Sequence, residues 1–464
     1  MGIGEPQEPR DALTSQLLKA VRQQDAIERA WRVIQDNARS SSSVAVRQEI
    51  EEFAEEPGKR IRSICYRLNR NRFEFGKAKG IPIPKTDAAG RKTGRFRPIV
   101  LAPIEARIVQ RSILEVLQSV VGLQPYLDTP YSFGGLRKGK PAEGDRKRDN
   151  PAAVPAAIKA VLQAISDGAR YYACADIKSF FTRVSKTHVT GIVAAAVGEP
   201  AFLSLFSKAI AVELSNMAEL REKAAEFPIE EIGVAQGNSL SPLLGNIALA
   251  AFDVEMNDGD CRCIRYIDDF IILAPTKKAA DSKLRKARIL LDRLGMELSP
   301  EKSSRGGIAI KDGLSFLGVE IMPGIIRPAS KAQQRFLRSI SDEFAKSRKA
   351  FADVQQGKPM ARSSTLISTL KRVEGAVDGW GKHYWFCNDV HLLAALDVKV
   401  KASVRDFIGA YAEARRKLPM DKQHLLLGIP TLADQKRQPY EYPKLSPKVA
   451  DIPHLPPESP HAHP

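Results

Sequence analysis

Arg265-Tyr266-Ile267-Asp268-Asp269-Phe270-Ile271-Ile272-Leu273 decides how this chain is read. The run is apolar and strand-forming, yet two adjacent acids stand in its middle. Burying one unpaired carboxylate is costly, and two together repel unless a cation neutralises them. A tight turn between two strands brings Asp268 to a shared metal site, with Asp269 pointing partly away and tuning it. An exposed hairpin turn is the plain alternative, since Asp is common in turns. A second acid weakens that alternative. Tyr171-Tyr172-Ala173-Cys174-Ala175-Asp176 is another apolar strand ending in Asp, although Asp176 also fits a helix N-cap. Metal-assisted phosphoryl transfer needs carboxylates from separate strands that hold two divalent ions about 3.5–4 Å apart.

The rest of the chain is compatible with that chemistry. It has 464 residues and a formal net charge of +17, which fits a protein of several domains that binds nucleic acid or an anionic membrane. No run of 18 apolar residues occurs, so no spanning helix is expected, and the N-terminus lacks a secretory pattern. Five scattered cysteines argue against a disulfide framework and for a reducing, cytoplasmic setting. Cys261-x-Cys263 has no second pair at zinc spacing. The charge is local. Residues 331–417 carry 17 Lys and Arg against 9 Asp and Glu, whereas the first sixty residues are slightly acidic. A basic helical segment of that kind suits phosphate binding, with Trp380, Tyr384 and Trp385 either stacking on bases or packing internally.

Periodicity predicts two short helices in 11–38, with an Asp25–Glu28 capping box, and a third over Val44–Glu56. Strands are expected at IPIPK and FRPIVLAP around the turn DAAGRKTG. Helices follow at Ile104–Val121, Pro155–Ser166 and Lys278–Leu294, with a strand hairpin at 314–327 and mostly helix from Lys331 to Lys417. Residues 137–150 read as a basic loop. Residues 439–464, with eight prolines in 26, read as an extended tail that ends in His461-x-His463.

Several of these segments occur in a familiar order. Asp176 with Phe181, then Gly233-Val234-Ala235-Gln236-Gly237-Asn238-Ser239-Leu240-Ser241-Pro242, then Tyr266-Ile267-Asp268-Asp269 resemble a reverse transcriptase palm. Phe96-Arg97-Pro98-Ile99 and Arg107-Ile108-Val109-Gln110 resemble the fingers of the group II intron-type enzymes. Leu294-Gly295-Met296-Glu297-Leu298-Ser299-Pro300-Glu301-Lys302 and Phe316-Leu317-Gly318 resemble later palm motifs, and Gly379-Trp380-Gly381-Lys382-His383-Tyr384-Trp385 resembles the thumb. The resemblance implies an α+β right-hand polymerase. Its parts would be an N-terminal helical extension (1–60), fingers (61–170), a palm with an antiparallel sheet (171–328), a helical thumb (329–438) and the proline-rich tail (439–464).

It also implies roles. Asp176, Asp268 and Asp269, with the Ile177 carbonyl, would hold two Mg²⁺ ions, or Mn²⁺ in their place. Phe181 would exclude a 2′-OH, and Gln236 would lie against the incoming dNTP, with Gly237 allowing close backbone approach. Lys85 and Arg97 would contact the triphosphate, or Lys85 would be a solvated turn residue. Lys302 would protonate pyrophosphate, or be a surface lysine. Phe316, Leu317 and Gly318 would hold the primer end. The implied partners are an RNA template and a DNA product, without a membrane.

The N-terminal helices and Gly134-Gly135-Leu136-Arg137 depart from the group II pattern, and Val189-Thr190-Gly191 lies in the wrong place for a retron signature. The chain is similar to the free-standing bacterial reverse transcriptases of antiphage defence, which typically copy a neighbouring non-coding RNA and often form homo-oligomers. A group II intron maturase, a retron enzyme and an RNA-binding scaffold with a silent polymerase fold stay open as alternatives.

Overall fold

The computed structural model describes residues 16–39, 41, 43–86, 92–135, 153–429 and 432. The turn at 87–91, the basic loop from Leu136 and Arg137 onward, and the proline-rich tail with His461 and His463 lie outside the described residues. The first four helices are α1 (Gln16–Arg22), α2 (Gln24–Arg39), α3 (Val44–Glu55) and α4 (Pro57–Asn69). Helix α2 starts at Gln24, one residue before the expected cap. Asp25 therefore sits inside the first turn and complements the helix dipole, while Glu28 bonds Gln24 instead. The start of α1 is capped from far away: the buried Glu199 carboxylate accepts the Leu17 and Leu18 N–H groups, each at 3.0 Å.

Strands β1 (Lys79–Thr86) and β2 (Lys92–Leu101) form an antiparallel ribbon, followed by α5 (Ile104–Leu117). The helix expected to reach Val121 ends at Leu117, and a 3₁₀ turn and the short α6 (Gln124–Leu127) continue the chain. Next come α7 (Ala153–Ser166), β3 (Tyr171–Asp176), α8 (Lys186–Val197), α9 (Pro200–Ile210), α10 (Met217–Leu220), α11 (Ser241–Met256), β4 (Arg262–Tyr266), β5 (Asp269–Ala274), α12 (Lys277–Arg293) and β6 (Ile308–Ala309). Strands β4, β5, β3 and β6 make one antiparallel sheet in that spatial order. The run 314–327 is a three-stranded meander, not a hairpin: β7 (Leu314–Phe316), β8 (Val319–Met322) and β9 (Ile325–Pro328). Two left-handed turns account for it, one at Leu317-Gly318 and one at Gly324.

The chain divides into two compact units, Met1–Gln334 with Tyr384–Leu393 and Arg335–His383 with Ala394–Pro464. In the second unit, α13 (Ser330–Gln355, from Arg335 onward), α14 (Leu366–His383), α15 (Val390–Arg416, from Ala394 onward) and α16 (Gln423–Leu427) enclose a core of Phe336, Ile340, Phe344, Phe351 and Phe407. Trp380 stacks on Phe336 with ring centroids 4.6 Å apart, so it packs inside this unit. In the first unit Tyr384 is buried and Trp385 is exposed. No helix among the described residues is long and apolar enough to cross a membrane.

Helix α11 covers the large sheet with apolar side chains and one buried acid. Arg265 of β4 is 0% exposed, and its guanidinium makes a bidentate pair with Asp253 of α11 at 2.5 and 2.8 Å. A further N–H reaches Asn246 Oδ1 at 3.2 Å. Removing one partner strands the other charge in the core. Asp253→Ala is expected to cost about 3–5 kcal/mol of stability, read as a lowered urea midpoint. Adding Arg265→Met to that variant should recover much of the loss.

Candidate active site

Antiparallel pairing of β3 with β5 sets Asp176 directly opposite Asp269. The Ile177 N–H donates to the Asp268 carbonyl at 2.9 Å and ties the end of β3 to the β4–β5 turn. Asp176 caps no helix, because the next helical turn begins only at Phe180, after a left-handed Ser179. The β4–β5 turn is strained. Ile267 has φ +60, a conformation that a β-branched residue rarely adopts. Two contacts hold it there. The Arg265 Nη1 donates to the Ile267 carbonyl at 3.0 Å. Gly134 lies against the turn so closely that a Cβ there would stand 2.6 Å from Ile267 Cγ1. Gly135 likewise has no room for a side chain beside Pro242.

The free edge of β3 is covered by the segment Glu297–Ser304. Lys178, Ser299 and Ser304 donate backbone N–H groups to Glu297, Asp176 and Cys174 carbonyls at 2.7–2.8 Å. This ladder places Lys302 beside the carboxylates, and its ammonium donates to Asp176 Oδ2 at 2.6 Å. Burial opposes the charge on Lys302, but Asp176 and the two other acids outweigh burial and raise its pKa. Burial, followed by repulsion from Asp176, lifts Asp268 above the ordinary carboxylate range. Asp269 is lifted further, by burial and then by Asp268 and Asp176. Three half-buried or buried carboxylates set this close together are chemically suited to a hard divalent cation. As placed, no group of three His, Cys, Asp or Glu side chains among the described residues is arranged around a single point, and Asp176 is engaged by Lys302.

A cleft of about 500 Å³ lies beside the carboxylates. Lys85, Arg97 and Gln236 all line it, with Ser179, Arg183 and Glu230. The Val100 N–H of β2 donates to the Gln236 carbonyl at 2.9 Å, which fixes the Arg97 strand against the Gln236 loop. Gly237 makes that approach possible, since a Cβ there would stand 2.7 Å from the Val100 carbonyl oxygen. Burial and then the like charges of Lys302 and Arg97 depress the Lys85 pKa, a crowding of cations that an anion would relieve. Phe181 is not among the residues lining this cleft. It is half-buried and packs against Phe180 and the core. Phe316 is buried in β7, Leu317 and Gly318 form the left-handed turn after it, and the half-buried Cys174 thiol contacts the Ser315 carbonyl at 3.6 Å. Strand β7 is thereby placed next to β3.

Residues 83–321 match the reverse transcriptase (RNA-dependent DNA polymerase) family. The chain belongs to that family. Its four-stranded sheet with the paired acids is the reverse transcriptase palm. Solved structures with similarity include a partial Cas6-RT-Cas1–Cas2 complex, at 19% identity over 60% of this chain and 42% of that one, with a TM-score of 0.32. Apo telomerase from Candida tropicalis is another, at 12% identity over 76% of this chain and 69% of that one, with a TM-score of 0.38. The chain thus spans under half of the chain it matches in the Cas6-RT-Cas1–Cas2 complex. No curated protein matches.

Some of what shapes this reverse transcriptase site has no motif-like signature. Arg265 reads as a strand flank, yet it braces the turn that carries two of the acids. Arg95 of β2 pairs with Glu301 at 2.6 Å and links the ribbon to the segment that presents Lys302. The signal for Gly134 was its departure from a pattern, and the structure supplies the reason. Gly134→Ala is expected to slow nucleotide addition in single-turnover assays on the order of a hundredfold through a misplaced turn. Adding Ile267→Ala, which removes the Cγ1 that the new methyl meets, should restore part of the rate.

Proposed function

We propose that the chain copies RNA into DNA by metal-assisted nucleotidyl transfer at Asp176, Asp268 and Asp269. The carrying observation is the cross-strand pair Asp176–Asp269, with Asp268 tied to Ile177, beside a cleft walled by Lys85, Arg97 and Gln236. The three carboxylates and the Ile177 carbonyl are the groups that would hold Mg²⁺. Two such ions supply activation of the primer 3′-oxygen and stabilisation of the departing pyrophosphate. Lys85 and Arg97 offset the triphosphate charge, and Arg97 offers a planar fork for its oxygens. Lys302 donates a proton to the pyrophosphate oxygen as the P–O bond breaks; its hydrogen bond to Asp176 holds it within reach of the acids. Gln236 positions the base and sugar, and Phe316-Leu317-Gly318 steady the primer end.

Primer extension on an RNA template with Mg²⁺ and dNTPs tests the assignment. Asp268→Ala combined with Asp269→Ala is expected to abolish synthesis while leaving template binding intact; unchanged synthesis would overturn it. Phe181 acts against ribonucleotides in this reading, and its ring must border the sugar once a nucleotide is bound. Phe181→Val is accordingly expected to raise ribonucleotide incorporation relative to dNTP incorporation, measured by alkali-sensitive products. An unchanged ratio would return Phe181 to the core.

The narrower reading is synthesis from an associated non-coding RNA in antiphage defence. Its support is the resemblance drawn from the N-terminal helices and the Gly134-Gly135 departure. Sequencing the RNA and DNA that copurify with the protein checks it: one abundant RNA with complementary DNA is expected, and intron or retron RNA would replace this reading.

A further inference from the structure

The reaction site does not account for the basic cleft on the opposite part of the palm. This cleft of about 560 Å³ lies between α12 and the loop entering β6. Arg285 and Arg288, three residues apart on one face of α12, form one wall, and Arg305 stands in the loop opposite. Strand β6 pairs with Tyr171 and Tyr172, at the start of β3. Asp176 ends that strand, about 17 Å further along. The cleft is therefore separate from the carboxylates and from the Lys85–Arg97–Gln236 cleft.

The basic residues of α12 divide by function. Lys283 and Lys286 on the α11 side donate to Glu255 and Asp258 carbonyls, and Lys286 also pairs with the Glu255 carboxylate. Those cations are satisfied within the fold. The cleft side differs. Asp281, its only lining acid, accepts the Gly307 N–H at 2.6 Å and pairs with Lys277 at 2.9 Å. Among the described residues, the guanidinium groups of Arg285, Arg288 and Arg305 have no hydrogen-bond or ion-pair partner. The loop is also built to stay close: a Cβ at Gly306 would stand 2.7 Å from Asp281 Oδ1, and one at Gly307 would stand 2.9 Å from Ala280 Cβ. A braced loop thus holds one arginine across from two others; the one acid lining the cleft, Asp281, lies near Arg285 but spends its hydrogen bonds on Lys277 and Gly307.

Guanidinium forks converging on one open cleft match phosphate oxygens in geometry and charge. We propose that this cleft is a second RNA-binding surface, which grips the backbone phosphates of an RNA strand outside the template–primer duplex. The choice of RNA as the phosphate source rests on the RNA-directed reading above and on the net charge of +17. Phosphate contact gives grip without base readout, so sequence preference would have to come from elsewhere.

The test is equilibrium binding of a single-stranded RNA of about 30 nucleotides, without metal or dNTPs, across a salt series. The triple variant Arg285→Gln, Arg288→Gln, Arg305→Gln is compared with the wild type. Losing three phosphate contacts should reduce the log–log salt slope by about 2 and weaken binding on the order of a hundredfold at 0.1 M salt. Primer extension on a short template–primer that fills only the reaction site should keep its kcat and KM. An unchanged salt slope overturns the proposal. So does an equal loss of extension on the short duplex, which would assign these arginines to the polymerase track. Loss of binding to an acidic peptide with RNA binding intact overturns it in favour of a protein partner. Should the variant not fold, phenylglyoxal labelling of the wild type decides: RNA must protect Arg285, Arg288 and Arg305, and labelling unchanged by RNA refutes the assignment. Because binding is read without catalysis, a failed polymerase assignment and a failed cleft assignment give different results.

Discussion

One guanidinium carries the local order on which the acids depend. Arg265 is removed from water entirely, so each of its N–H groups must find an acceptor inside the protein. Asp253 and Asn246 of α11 take part of that demand, and the Ile267 carbonyl takes another part. The covering helix, the strand and the strained turn are thereby joined at one point. A left-handed isoleucine is tolerable because its surroundings over-determine it: Arg265 pulls on its carbonyl, and Gly134 leaves no space for the turn to relax. Asp268 lies in that turn and Asp269 opens the strand after it, so their placement inherits its rigidity.

A second constraint is electrostatic. Asp268 and Asp269 share a largely apolar strand end with Asp176, and they are reluctant to charge together. Across from them stand Lys302, Lys85 and Arg97, which crowd one another. Neither group is comfortable alone. Backbone hydrogen bonds fix their placement along both edges: the Glu297–Ser304 segment on β3 brings Lys302 onto Asp176, and the Gln236 loop on β2 holds the Arg97 strand. Acids on one side and cations on the other give a site polarised for a metal-bound polyanion, a charge distribution better satisfied by substrate than by the protein itself.

The acids were legible because each is a local contradiction, a carboxylate within an apolar strand, and contradictions of that kind survive in a linear sequence. The strands around them, Tyr171–Asp176 and the pair flanking Asp268-Asp269, were legible for the same reason. The meander after Leu314 was read as a hairpin because its second turn rests on a single glycine, Gly324. The role of Arg265 was hidden, since its partner Asp253 lies on a different element and looks like any helix-end acid. Lys302 was placed by resemblance; its hold on Asp176, 126 residues away, is a tertiary fact that no local pattern encodes. Phe181 shows the converse. Its position in the motif was plain, but its packing on Phe180 and the core depends on neighbours the motif does not contain.

The ten residues Tyr384–Leu393 return to the first unit after an excursion through α14. There, Asn388 accepts the Ile326 N–H, donates its own backbone N–H to the Ile326 carbonyl, and donates its side-chain N–H to Gly324, while Asp389 reaches Arg327. These bonds seal the outer strand of the meander, which would otherwise present bare backbone to any passing chain. The helical unit is thus not a module appended to the end of the polymerase sequence. Its continuous excision would strip the sealing segment as well, leaving a sticky edge beside the Phe316-Leu317-Gly318 turn. The two units are interlaced in sequence, and inheritance of one carries an obligation to keep part of the other.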